Sequence, residues 1–308
     1  MSAISKLKNT SLWKFAVKVR YAKFRLPSRQ VLIYKFKTSY AWMWLMRLKY
    51  YRPQKGYAEI QLSPRAEKWL KQFAEDGVVV IDEFADIAQY INEEYISKPD
   101  NKYFVEDWFN QRCIDTGVSF SKIISLKDPK LDKLLFHEDM FSMLNKHYKR
   151  QAFYRDFPEI RINQYVEGKN TPDISTLMHI DTGLDQVTFM LLLNDLTEDD
   201  THMEVALKSC QMKHRNADRY QIEKAEIEKN FEMMQCVGKA GTLFLFRGGL
   251  TYHRAVNKSG TTRKMLHCNF TTGHHINPKK TEDYSKETFL NSKPFYIKKM
   301  VEKLQTAK

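Results

Sequence analysis

The chain has 308 residues, 43% hydrophobic and 13% aromatic, with 11 glycines. That suffices for a substantial core and excludes a collagen-like or intrinsically disordered chain. The formal charge is +13, but residues 1–58 hold fourteen Lys or Arg and no Asp or Glu, leaving 36 basic and 37 acidic residues elsewhere.

The basic segment interleaves cations with aromatic rings, as in "SLWKFAVKVRYAKFRL" and "YAWMWLMRLKYY". Such a mixture fits an anionic membrane surface or a nucleic-acid backbone. Its apolar run at Ala41–Met46 is too short to span a bilayer, and no secretory cleavage pattern follows an apolar core. The expectation is a cytoplasmic protein in which residues 1–58 are either a solvated, partly structured extension that packs some aromatics on the domain or a peripheral contact to a membrane surface. Four scattered cysteines, Cys113, Cys210, Cys236 and Cys268, form no C-x-x-C pair, which argues against a zinc ribbon or a disulfide framework. The chain divides into an extension over 1–60, a domain over 61–280 and a helical, basic tail over 281–308.

In chain order, "LSPRAEKWLKQFAEDG" predicts a helix with Ser63 as N-cap, Pro64 in the first turn, an apolar stripe through Ala66, Leu70 and Phe73, and Gly77 as its stop. "VVVID" reads as a short buried strand, residues 83–97 as helix, and 98–102 as a turn around Pro99. "KLDKLLFHEDMFSMLNKHYKR" has a continuous helical period. From Pro158 the pattern changes to strands: "EIRINQYVEG", "QVTFMLLLNDL", "GTLFLFRGG" and "RKMLHCNFTTG". The charged insertion "NADRYQIEKAEIEKNFEMM" is read as partly helical. Helices first and strands later predict one β core wrapped by helices.

Two H-x-D triplets stand in the chain, His137/Asp139 and His179/Asp181. Residues two apart diverge on a helix and share a face on an extended segment. The first pair lies in a helical pattern and is read as helix surface. The second lies in an extended stretch, "MHIDTG", and its side chains converge. Two imidazoles and one carboxylate on one face make a mononuclear iron site that leaves positions for a chelating co-substrate and O2. The candidates for the second imidazole are His202, His214, His253, His267, His274 and His275. His253 stands out at the far end of the apolar stretch "AGTLFLFRGGLTYH". Asn257, Ser259 and Gly260 then form a turn that leads to Arg263, a cation suited to the far carboxylate of a dicarboxylate, or to a cross-strand ion pair.

These residues resemble the phytanoyl-CoA dioxygenase-like family of Fe(II)/2-oxoglutarate-dependent oxygenases. The resemblance runs through "LKQFAEDGVVVIDEF", "MHIDTG" with "TFMLLLNDLTEDD", and "VGKAGTLFLFRGGLTYHRAVNKSGTTRKMLHCNF", covering about residues 61–276. It implies a mainly β fold with flanking helices, a double-stranded β-helix (jelly roll, cupin-like). It implies iron on His179, Asp181 and His253, the 2-oxoglutarate tail on Arg263, and O2-dependent hydroxylation of an aliphatic C–H in a small-molecule or lipid-linked substrate. Asn163, Tyr165 and Thr188, on strands expected to flank the metal, are further candidates for 2-oxoglutarate contact. Three departures stand out: Ala255 replaces the Ser or Thr often found two residues after the second histidine, Leu207–Cys210 replaces a Pro-Gly-Ser-His turn, and "THMEV" lacks the usual glycine. Asp181 argues against a halogenase, Arg263 against a prolyl-hydroxylase relative, and "RKM" against the R-x-N of nucleic-acid demethylases, which weighs against a nucleic-acid partner. The competing readings are a non-catalytic jelly-roll binding protein and a cupin-type metalloenzyme that uses no keto acid.

Overall fold

A computed structural model of the chain describes residues 53–98, 104–105, 118–123, 128–135, 137–150, 152–154, 158–164, 176–181, 186–212 and 224–271. The basic extension up to residue 52 and the tail from 272 lie outside these residues, and with them the expected membrane contact and the turn around Pro99. None of the described helices is long and apolar enough to cross a membrane.

The first helix, α1 (Pro64–Asp76), starts and stops where its capping residues require. Ser63 accepts from the Ala66 amide, and Gly77 adopts φ 79°, returning its N–H to the Phe73 carbonyl. Ala66, Trp69 and Phe73 form its buried stripe, with Leu70 packed at the margin, so the large ring of Trp69 takes the place expected for Leu70. Strand β1 (Val78–Asp82) follows, then α2 (Ala85–Ile91), which runs on as a π-helical turn over Asn92–Ile96.

The continuous helical period over 130–150 is in fact two helices, α3 (Pro129–Leu135) and α4 (Glu138–Tyr148). His137 breaks it by taking an extended ψ of 116° as the N-cap of α4. His137 and Asp139 are therefore the start of a helix, packed on α1, and not helix surface. The His137 ring lies between Trp69 and Phe84, and Asp139 bonds to Ser63 and Arg65.

Ten further strands follow β1. They are β2 (Phe104–Val105), β3 (Val118–Ile123), β4 (Phe153–Tyr154), β5 (Glu159–Gln164), β6 (Val187–Leu192), β7 (His202–Ala206), β8 (Met233–Cys236), β9 (Thr242–Phe246), β10 (His253–Val256) and β11 (Thr262–Thr271). A short helix, α5 (Lys224–Glu228), lies before β8, so the charged insertion is helical in part and ends as a strand. The strands form two antiparallel sheets. The larger has the order β1-β9-β6-β11-β5-β3-β2 with β4 also on β11, and the smaller has β10-β7-β8.

This order makes a jelly roll. From β5 onward the chain passes alternately between sheets, meets its midpoint at the β7–β8 pair, and retraces the alternation to β11. The segment around His179 joins the smaller sheet by an antiparallel bridge to His253. The two sheets face each other without closing, and Val78, Met190, Leu192, Phe244, Phe246 and Met265 of one pack against Val205 and Cys236 of the other. The opposite face of the larger sheet, with Phe189, Leu191, Leu245, Leu266 and Phe270, packs on α1 to α4. Alternation along β11 then fixes its inner face: Arg263, Met265, His267 and Asn269 point between the sheets, and Leu266, Cys268 and Phe270 point to the helices.

Candidate metal centre

Backbone pairing builds the metal claw. His179 and His253 exchange both amide-to-carbonyl bonds, at 3.0 and 2.9 Å, so they are directly opposed and their side chains share a face. Asp181 lies two residues along an extended segment, on the same face, and its amide is fixed by the Gly248 carbonyl at 2.8 Å. One ligand atom from each of His179, Asp181 and His253 falls within 4.8 Å of the other two. The two imidazole centroids are 4.4 Å apart, and His253 Nε2 is 3.9 Å from Asp181 Oδ1.

The ring nitrogens are oriented by the backbone. His179 Nδ1 bonds to the Leu177 carbonyl at 2.7 Å, and His253 Nδ1 to the Thr251 carbonyl at 2.9 Å. A carbonyl only accepts, so each Nδ1 carries the proton and each Nε2 presents its lone pair, the tautomer a metal ligand needs. His253 is buried and packs on Phe246, whereas His179 and Asp181 are partly exposed, so the cluster has a closed back and an open front. The three side chains thus fit a divalent metal.

His253 does not sit at the end of the apolar strand that was expected to deliver it. Strand β9 stops at Phe246, and a turn over Arg247–Thr251, closed by Leu250 and Thr251 amides on the Arg247 carbonyl, carries the chain to the other sheet. Gly248 in that turn lies against the claw: a Cβ there would stand 2.5 Å from Asp181 Oδ2. Of the other candidate histidines, His202 is on the face of β7 opposite to Val205, the partner of His253, and its Nδ1 bonds to the Asp200 carbonyl. His267 is on the inner face of β11 but outside the cluster. His214, His274 and His275 lie outside the described residues.

The remaining predicted residues fall in two groups along the inner face. Thr188 stands at the metal end, 3.5 Å from Asp181 Oδ2 and 3.2 Å from Asn269 Oδ1. Arg263 and Asn163 stand opposite each other at the start of β11, and Arg263 Nη2 donates to Asn163 Oδ1 at 3.2 Å. Tyr165 lies outside the described residues. Arg263 is only 4% exposed, yet its Nε and Nη1 have no hydrogen-bond partner among the described residues. Burial pushes its pKa down to about 10, which leaves it a cation at neutral pH. A buried cation whose described contacts include no carboxylate is costly, and an anion seated there would offset that cost. The nearby Cys236 thiol does not serve, because burial pushes its pKa up to about 12.

Sequence reasoning missed Gln186 and Asn269. Gln186 Nε2 donates to Asp181 Oδ2 at 2.5 Å and to Asn269 Oδ1 at 3.1 Å. The one trace in the sequence is the polar alternation Gln186, Thr188 at the start of an otherwise apolar strand.

No protein-family model and no curated protein matches this sequence. Solved structures do show a likeness. The 2-oxoglutarate-dependent carbocyclase SnoK of nogalamycin biosynthesis is 18% identical, with 71% of this chain and 87% of that one covered and a TM-score of 0.46. The epimerase SnoN of the same biosynthesis is 12% identical (67% and 83% covered, TM-score 0.48), and EctD of S. alaskensis, solved with 2-oxoglutarate and 5-hydroxyectoine, is 14% identical (72% and 82%, TM-score 0.48).

Proposed function

We propose that the chain is an Fe(II)/2-oxoglutarate-dependent oxygenase of the phytanoyl-CoA dioxygenase-like kind, acting on an aliphatic C–H bond of a small-molecule substrate. In such a reaction substrate C–H, O2 and 2-oxoglutarate become C–OH, succinate and CO2. One observation carries the reading. Between the two sheets stand two imidazoles clustered with one carboxylate, each Nδ1 held by a backbone carbonyl, and a buried guanidinium whose Nε and Nη1 have no partner among the described residues.

His179, Asp181 and His253 would hold the iron, which supplies O2 activation coupled to oxidation of the keto acid. Arg263 would hold the distal carboxylate of 2-oxoglutarate through Nε and Nη1, the two nitrogens that Asn163 does not engage. This favours a keto-acid enzyme over a cupin-type metalloenzyme, which has no dicarboxylate to hold. The partly exposed side of His179 and Asp181 is where substrate would approach.

The test is an anaerobic titration of the full chain with Fe(II) and then 2-oxoglutarate. The expected result is a weak visible charge-transfer band from chelated keto acid, present only with both additions. Iron binding without that band would favour the keto-acid-independent reading, and a folded protein that binds no iron would favour a non-catalytic jelly roll.

A further inference from the structure

The two oxygens of Asp181 have different surroundings. Oδ1 is the one turned toward His253 Nε2. Oδ2 is turned into the protein, where it accepts from Gln186 Nε2 at 2.5 Å and lies 3.5 Å from Thr188 Oγ1. Gln186 is 6% exposed, one residue ahead of β6. Its amide has two N–H groups, and the second donates to Asn269 Oδ1. Thr188 donates to the same Asn269 oxygen. Gly248 closes the remaining side, because any side chain there would collide with both Asp181 Oδ2 and Thr188 Oγ1. The carboxylate is therefore held by a fork whose own angle is set from the neighbouring strand.

We infer that Gln186, aligned by Asn269, is a positioning residue that reserves Asp181 Oδ2 and makes Asp181 a one-oxygen metal ligand. The inference rests on the metal reading given above. A carboxylate that turned both oxygens to a six-coordinate metal would, with two imidazoles, leave only two positions. One oxygen leaves three, the number that a chelating keto acid and O2 require together. A charge-assisted bond from a buried amide to the second oxygen opposes that rotation, and it does so before the metal arrives. The same bond explains why a neutral amide stands at this position. A lysine or arginine there would neutralise Asp181 and compete with the metal.

Cobalt(II) is a suitable probe, since its visible bands report coordination number and no turnover is needed. Wild type, Gln186→Met and Asn269→Ala, all as full chains without metal, would be melted and then titrated with Co(II), followed by 2-oxoglutarate. The expected result is metal-free melting of Gln186→Met close to wild type, Co(II) affinity weaker by about 10–100-fold, and a Co(II) spectrum that responds less to 2-oxoglutarate. Asn269→Ala should show a smaller loss of the same kind, and it decides the matter if Gln186→Met does not fold. Folded variants with wild-type Co(II) affinity and spectra would overturn the inference, even if their metal-free melting temperature fell, because Gln186 would then be structural only. Absence of Co(II) binding by wild type would instead overturn the metal reading itself.

Discussion

At His137-Glu138-Asp139 and at His179-Ile180-Asp181 the chain repeats one triplet in two opposite surroundings. In the first, both carboxylate oxygens are taken, Oδ1 by Ser63 at 2.9 Å and Oδ2 by the Arg65 guanidinium at 2.6 and 2.9 Å. Burial raises the Asp139 pKa, but the bonds from Arg65 and Ser63 outweigh it and hold the carboxyl below its ordinary range. Its histidine packs between aromatic rings. In the second triplet the described hydrogen-bond partners of Asp181 are neutral, a side-chain amide and a hydroxyl, and a second imidazole faces it. A carboxylate already compensated by a guanidinium fastens two helices together. One left uncompensated beside two imidazole lone pairs is prepared for a cation.

The comparison breaks most visibly at the metal. His253→Ala should lose Fe(II) or Co(II) binding by about 100-fold or more, since one of three ligands and the back of the site go together. His137→Ala should bind as wild type, and anaerobic equilibrium dialysis of both would show it. If both lost metal equally, the contrast between the triplets would be void. Next in size is Arg263→Ala, expected to weaken 2-oxoglutarate by about 100-fold, on the order of 3 kcal/mol for a lost buried charge-assisted contact. Fe(II) affinity should stay within about twofold, because Arg263 lies outside the cluster of His179, Asp181 and His253. Unchanged 2-oxoglutarate affinity would remove the dicarboxylate pocket from the proposal.

Much of this was legible in the sequence wherever the determinants are local. Ser63 and Gly77 bound α1 through contacts within one turn, and the apolar runs of β6, β9 and β11 announce themselves. His179 and Asp181 converge because two residues of extended chain suffice. What escaped depends on distant pairing. Strand β7, "HMEVA", hides because its outward residues His202 and Glu204 are polar in sequence but buried in the fold, Glu204 by Arg254 and Lys224. Strand β10 is four residues long, and the turn at Gly248 that switches His253 between sheets looks like the end of β9. The bond from Gln186 to Asn269 joins residues 83 apart, and only the register of β6 on β11 brings them together. The break at His137 has no Gly or Pro to signal it, and tertiary contacts to α1 decide it.

The smallest effect sharpens the comparison from the other side. Asp139→Ala removes a partly exposed ion pair with Arg65 and a hydrogen bond to Ser63, and Ser63 still caps α1 through the Ala66 amide. Exposed pairs are worth roughly 0.2–1 kcal/mol. With the lost hydrogen bond, the expected cost is about 1 kcal/mol, a melting temperature lower by about 2–4 °C for a domain of this size. The loss should shrink in high salt, which screens the Arg65 contact but not the bond to Ser63. Metal affinity should not move at all. A fall in melting temperature without a fall in Co(II) affinity is the signature of a triplet that holds helices, and the reverse pattern in His253→Ala is that of a triplet that holds a metal.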